Sequence, residues 1–249
     1  MRSAKSSNPV FRRLAESRTY ARDVTGESAM TIQGAAVKTL ILLLITFVSA
    51  MYTYAQTLQG AMNPSLAWGG AIVGFILAMI TVFKANWSPY TTPLYALCEG
   101  LFLGIVSATF EASFPGVVLD AVLSTFGVLF TLLALYATRV VKVTNKFRMI
   151  VFAATGGVAA VYLITWIFSF FGVHLPYMFG SGLSALIFTA IVAVVAALNL
   201  LMDFDFIEQG AEAGMPKYME WYGAFGLMVS LIWLYLEILR LLAILRGRD

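Results

Sequence analysis

Seven long apolar runs fill most of the chain between residues 37 and 245, and a few carboxylates interrupt them where lipid would be. A charged side chain at the centre of a membrane helix costs about 2.5–3.5 kcal/mol on insertion scales. Glu99 in TTPLYALCEGLFLGIVSATF, Asp203 in VAALNLLMDFDF and Glu237 in LIWLYLEILRLLAIL therefore each need a reason to be there. Ionisable groups at that depth point to ion or proton handling. The chain is 60% hydrophobic and 12% charged, whereas a soluble domain carries about 25% charged residues. It has too few polar side chains to cover a surface in water, which specifies an all-α integral membrane protein.

A spanning helix needs about 20 apolar residues. That rule predicts helices near 37–55, 66–83, 91–110, 117–138, 149–171, 180–203 and 222–245, with Pro64, Pro93, Pro115 and Pro176 in or beside the connections. Connections this short make consecutive helices antiparallel neighbours in a single bundle. The chain thus divides into a polar, basic tail over 1–36 and a seven-helix transmembrane domain over 37–249. No apolar core with a cleavage site lies in the tail, so it does not read as a secretory signal. Small residues in GGAIVG (69–74), EGLFLG (99–104) and GGVAA (156–160) are read as helix-packing positions. None sits between a strand and a helix, so a phosphate-binding loop is unsupported.

Basic residues set the orientation. The tail with Lys38 carries seven Lys and Arg, and 139–148 carries four, whereas 56–65, 111–116 and 172–178 carry none. This alternation puts the N-terminus in the cytoplasm and the basic residues beside a membrane rather than on nucleic acid. Seven crossings then leave Arg246 and Arg248 on the opposite side, against the rule. A sixth or seventh segment that dips without crossing would remove the conflict.

Each interior acid admits a bland reading beside a functional one. Arg240, three residues past Glu237, can pair with it on one helix face or snorkel to the membrane edge. Asp203 reads either as a wetted helix end or as the start of a polar stripe, since Asn199 lies one turn earlier on the same face. Asp205 points away and reads as a solvated neighbour. Glu99 has no cation within four residues and is either hydrogen-bonded to a neighbouring helix or functional. Asp120 reads as an interfacial residue. The lone His174 and the lone Cys98 allow neither a zinc cluster nor a Cys–His nucleophile, and no serine elbow has a histidine partner. An enzyme is not expected, nor a bound cofactor.

LLMDFDFIEQ closing the sixth segment and LYLEILRLLAIL in the seventh resemble the Bax inhibitor family (transmembrane Bax inhibitor motif proteins), most strongly from Asp203 to Leu245. The pair Glu99–Gly100 and SSNPVF at 6–11 look like a bacterial branch. The resemblance implies a bundle in which six helices surround a central seventh. It also implies a pH-sensitive calcium leak controlled by two proton-sharing aspartates on helices six and seven, in a multi-pass protein of the cell membrane. The first aspartate matches Asp203. Ser230 stands at the position of the second, with Glu237 seven residues on, about 10 Å deeper at 1.5 Å per residue. The expectation is an ion pathway of Asp203, Ser230, Glu237 and Glu99, with Asn199, Asp205 and Arg240 around it. Asp203 and Glu237 would hold calcium only in transit, and proton occupancy would gate conduction. The family also implies an alternative: a stress-response regulator of a membrane protease or another membrane partner, working through the tail.

Overall fold

The computed structural model describes residues 29–61, 64–171 and 182–247. Most of the tail, His174, Pro176 and Arg248 lie outside the described residues. Among the described residues the chain forms seven long helices and no strand beyond one isolated bridge between Ala29 and Pro216. They are α1 (Ile32–Leu58), α2 (Pro64–Phe83), α3 (Ser88–Ser113), α4 (Val117–Ala137), α5 (Asn145–Phe170), α6 (Leu183–Glu212) and α7 (Met219–Arg246), with a 3-10 turn at Ala85–Trp87. Six of them are long and apolar enough to cross a membrane; α2, with 20 residues, is the shortest.

Several spans start or stop farther out than apolar length alone indicated, because polar ends of a helix extend past the hydrocarbon; α4, the end of α5 and the start of α6 do not. α1 begins at Ile32, capped by the Thr31 hydroxyl, which accepts from the Gly34 amide. Pro93 therefore lies inside α3 rather than at its start. The largest correction is α6. It runs to Glu212, so Asp203 and Asp205 sit well inside it, Glu208 and Glu212 are helical, and Glu220 belongs to the first turn of α7.

α7 is the most enclosed helix. One face joins a core of Leu227, Leu231, Leu234 and Ile238 with residues of α4 and α6. The other packs Ala224, Phe225, Met228 and Ile232 against Leu42 of α1 and Tyr95, Ala96 and Leu103 of α3. α7 thus packs on α1, α3, α4 and α6, while α2 rests chiefly on α3 and α5 on α6.

The closest helix approach joins α1 and α3. A methyl group added at Gly100 would overlap the Ser49 hydroxyl and the Thr46 carbonyl, and one at Gly104 the Thr53 hydroxyl and the Ala50 carbonyl. The Thr46 hydroxyl also reaches the Ala96 carbonyl at 3.2 Å. Interhelical hydrogen bonds in membranes average about 0.6 kcal/mol, so close backbone packing carries this interface. The other small-residue motifs differ. Gly70 and Gly74 face α3, but Gly69, Gly156 and Gly157 meet nothing within 4 Å. GGVAA is on the outside of α5 and does not pack within the bundle.

The two ends of the bundle are tied differently. At the end where α1 starts, Glu220 is fully buried and accepts from the Thr31 amide (2.8 Å) and hydroxyl (2.9 Å), from Lys38, and from Lys217 at 2.7 Å. The Met30 amide donates to the Met215 carbonyl, and the Ser88 hydroxyl to the Tyr218 carbonyl. Among the described residues, Lys38, Lys84, Arg139, Lys142, Lys146, Arg148 and Lys217 gather at this end, seven cations against the four acids Asp205, Glu208, Glu212 and Glu220. At the far end Arg246 donates to the Pro115 carbonyl and to Asp120. α7 thus runs the whole length of the bundle, from the Thr31–Glu220 end to the Asp120–Arg246 end. Arg246 remains an exception to the basic-residue pattern, held at this end by Asp120 and the Pro115 carbonyl.

The α1/α3 interface generates a stability test. Overpacking a filled contact costs about 1–3 kcal/mol, so Gly104→Ala should lower the unfolding midpoint of the detergent-solubilised protein clearly. Gly156→Ala should leave it unchanged or raise it slightly, since alanine favours a helix by up to about 1 kcal/mol over glycine. Equal behaviour of the two variants would refute this packing.

Candidate functional site

The antiparallel pair α6 and α7 carries the polar stripe. Asp203 projects from α6 toward α7 where Gly226 leaves room: a Cβ at Gly226 would stand 3.1 Å from Asp203 Oδ1. The Ser230 hydroxyl, one turn along α7 from Gly226, lies beside the same carboxylate. The other carboxylate oxygen, Oδ2, is buried with no hydrogen-bond partner. One turn back on α6, the Asn199 amide nitrogen donates to Thr155 Oγ1 of α5 at 2.8 Å and to the Val195 carbonyl at 2.9 Å. The stripe thus runs from the α6/α7 contact onto α5.

Glu237 is 6% exposed and meets α5 through the Tyr162 hydroxyl, which donates to its Oε1 at 2.6 Å. Its Oε2 is buried without a hydrogen bond. Arg240 stands near enough to act on Glu237 and Tyr162, but the two residues of α7 form no ion pair. The intrahelical pair that neutralises both charges is not what the helix builds. Glu237 turns toward α5 and takes a phenol instead.

Glu99 belongs to a different interface. Successive helical residues are about 100° apart, so with Gly100 pressed on α1, Glu99 turns toward α2. There a Cβ at Gly74 would stand 3.7 Å from Glu99 Oε2, and Tyr95 lies within hydrogen-bonding reach. The expected ladder thus places Asp203, Ser230 and Glu237 along α6 and α7, while Glu99 stands apart. Asp205 is not a free solvated neighbour. It accepts from Arg148 at 2.6 Å and from Gln209 at 3.0 Å.

Sequence reasoning missed Tyr162, Thr155 and Gly226. A weak signal for the first two exists: they are seven residues apart on one face of α5, within its apolar stretch 149–164. Ser230 and Glu237 are also seven apart, about 10 Å along α7 at 1.5 Å per residue, so a single ion near Asp203 and Ser230 is out of Glu237's reach. Among the described residues no group of three acidic, histidine or cysteine side chains is placed to hold a metal. Two large cavities lie between α1 and α4, and Asp203, Glu237 and Glu99 line neither.

A sequence model of the family described as Bax inhibitor 1 like matches residues 8–247, nearly the whole chain, and the chain belongs to that family. No curated protein matches it.

The Tyr162–Glu237 bond can be tested by itself. Leaving a buried polar group unsatisfied costs about 1–3 kcal/mol. Tyr162→Phe should therefore lower the unfolding midpoint more than Glu237→Gln, which keeps an oxygen for the phenol to donate to. The reverse order, read by thermal unfolding in detergent, would exclude this pairing.

Proposed function

We propose that this member of the Bax inhibitor 1 like family is a cation leak whose conductance is set by proton occupancy of Asp203 and Glu237. The observation that supports the reading is that both carboxylates are enclosed between helices with hydroxyls against them, and that neither is ion-paired, Arg240 standing near Glu237 without bonding to it. Each keeps one oxygen buried and unpaired. A carboxyl with a hydroxyl neighbour can hold or release a proton without breaking an ion pair. The ionised form attracts a passing cation and the protonated form does not.

Calcium takes about 6–8 oxygen ligands. One carboxylate, the Ser230 hydroxyl and water would supply a weak, transient site, suited to passage rather than storage. The protein lies multi-pass in the cell membrane with the α1-start end in the cytoplasm, a reading supported by the seven cations gathered there. In the regulatory alternative, in which a membrane protease or another membrane protein is the partner, the tail is the working part. Its support is the docking of Ala29 and Met30 on the α6–α7 connection, which joins the tail to the helix bearing Ser230 and Glu237.

Calcium flux into proteoliposomes should be larger at about pH 8 than at about pH 6, a window spanning physiological pH. Asp203→Asn and Glu237→Gln should flatten that dependence, and unchanged flux in both variants would contradict the leak reading. Deleting residues 1–28 should leave flux intact. Its loss would move the working part into the tail.

A further inference from the structure

α1 and α4 stand apart, and α6 (Phe204, Ile207) and α7 (Leu227, Leu231) together form the floor between them; Asp203, Glu237 and Glu99 do not line it. The seam between α1 and α4 holds a cavity of about 480 Å³ lined by residues such as Ala36, Leu40, Leu129, Leu133 and Leu231. Its lips are exposed and apolar, with Leu40 at 61% and Phe130 at 61%. Along α1 the cavity runs from Ile32 to Leu43, about 16 Å at 1.5 Å per residue. That matches one leaflet's share, about 15 Å, of the hydrocarbon thickness. At Leu43, Phe126 and Leu231 it meets a second cavity, which continues toward the other end of the bundle.

The mouth of the first cavity is not apolar. Arg139 sits there just past the end of α4, in a left-handed backbone conformation (φ 59°) that aims it back over the seam. Its guanidinium is held two-pronged by Glu208 and lies over the Tyr136 ring, 5.7 Å from the centroid. Even so, its side chain remains 60% exposed, with guanidinium N–H groups left beyond the two that Glu208 takes. Glu208 also accepts from the Tyr136 hydroxyl. This end of the bundle carries the excess of cations, and anionic headgroups are drawn to such surfaces.

We propose that the α1/α4 seam binds one phospholipid from the leaflet at the α1-start end, with an acyl chain in the cavity and its phosphate on Arg139. The fit rests on length, apolar lining and charge together: a slot one leaflet deep, closed at the back by α6 and α7 and topped by a fixed guanidinium. Arginine suits that task because its planar fork matches phosphate oxygens. The site is independent of the carboxylate stripe, so the leak reading and this one stand or fall separately.

The test is native mass spectrometry of the full chain released from micelles doped with phosphatidylglycerol, and in parallel with diacylglycerol of the same acyl chains. The wild type should retain one phosphatidylglycerol. Ala36→Trp, an exposed position that fills the slot without entering the core, should weaken retention at least about tenfold, equivalent to about 1.4 kcal/mol. Val37→Trp, the exposed neighbour outside the cavity, should change nothing. Arg139→Gln should keep the acyl binding but lose the preference for phosphatidylglycerol over diacylglycerol, and Arg139→Lys should restore part of it. Equal retention in Ala36→Trp and Val37→Trp would mean annular lipid only and overturn the proposal. So would a dimer that Ala36→Trp converts to monomer, because the occupant would then be a second copy of the chain.

Discussion

Hydrocarbon offers no water to a buried polar group, so every polar residue that α7 carries into the bundle must be answered by another helix. Five such residues find partners on five different helices. Glu220 is held by Thr31 and Lys38 of α1, Ser230 lies beside Asp203 of α6, and Tyr235 bonds Ser107 of α3 at 2.7 Å. Glu237 takes Tyr162 of α5, and Arg246 takes Asp120 of α4. Apolar packing encloses α7, and these bonds fix which neighbour faces which side of it. Each is worth little alone in a membrane. Their placement gives the bundle one arrangement.

The same set separates two kinds of carboxylate. Near the ends, Asp120, Asp205, Glu208 and Glu220 each pair with arginine or lysine, and Glu111 accepts from the Gly116 and Val118 amides. Those in the interior, Glu99, Asp203 and Glu237, have tyrosine or serine beside them and form no ion pair, even where Arg240 stands near Glu237. A salt-bridged acid is fixed in its charged form by its partner, whereas a hydroxyl neighbour serves either protonation state. The ends hold the bundle together, and under the proposed leak the middle is where proton occupancy would change without unlocking it.

The seven helices were legible because twenty apolar residues in a row have few other uses, and the resemblance at LLMDFDFIEQ carried through to the family. The ends of the helices were not legible. Glu208 and Glu212 look like a loop by composition, yet α6 runs on to Glu212, with Glu208 ion-paired to Arg139 on its surface. Asp203 and Ser230 could be placed together only through the family resemblance, which sets Ser230 at the position of the second aspartate. Glu99 could not be assigned, since one residue of rotation decides between α1 and α2 and only the packed Gly100 settles it. Tyr162 was invisible for a related reason: a tyrosine in an apolar helix reads as bulk until its hydroxyl is seen on Glu237. GGVAA resembled a packing motif because small residues carry no record of the face they occupy.

The central claim is that Asp203 and Glu237 exchange protons while the bundle stays folded. Infrared difference spectroscopy of the full chain in lipid bilayers, stepped through about neutral pH, reads this directly. The account expects two carboxyl carbonyl bands that appear on acidification, one absent in Asp203→Asn and the other in Glu237→Gln. A spectrum in which neither substitution removes a band would contradict it.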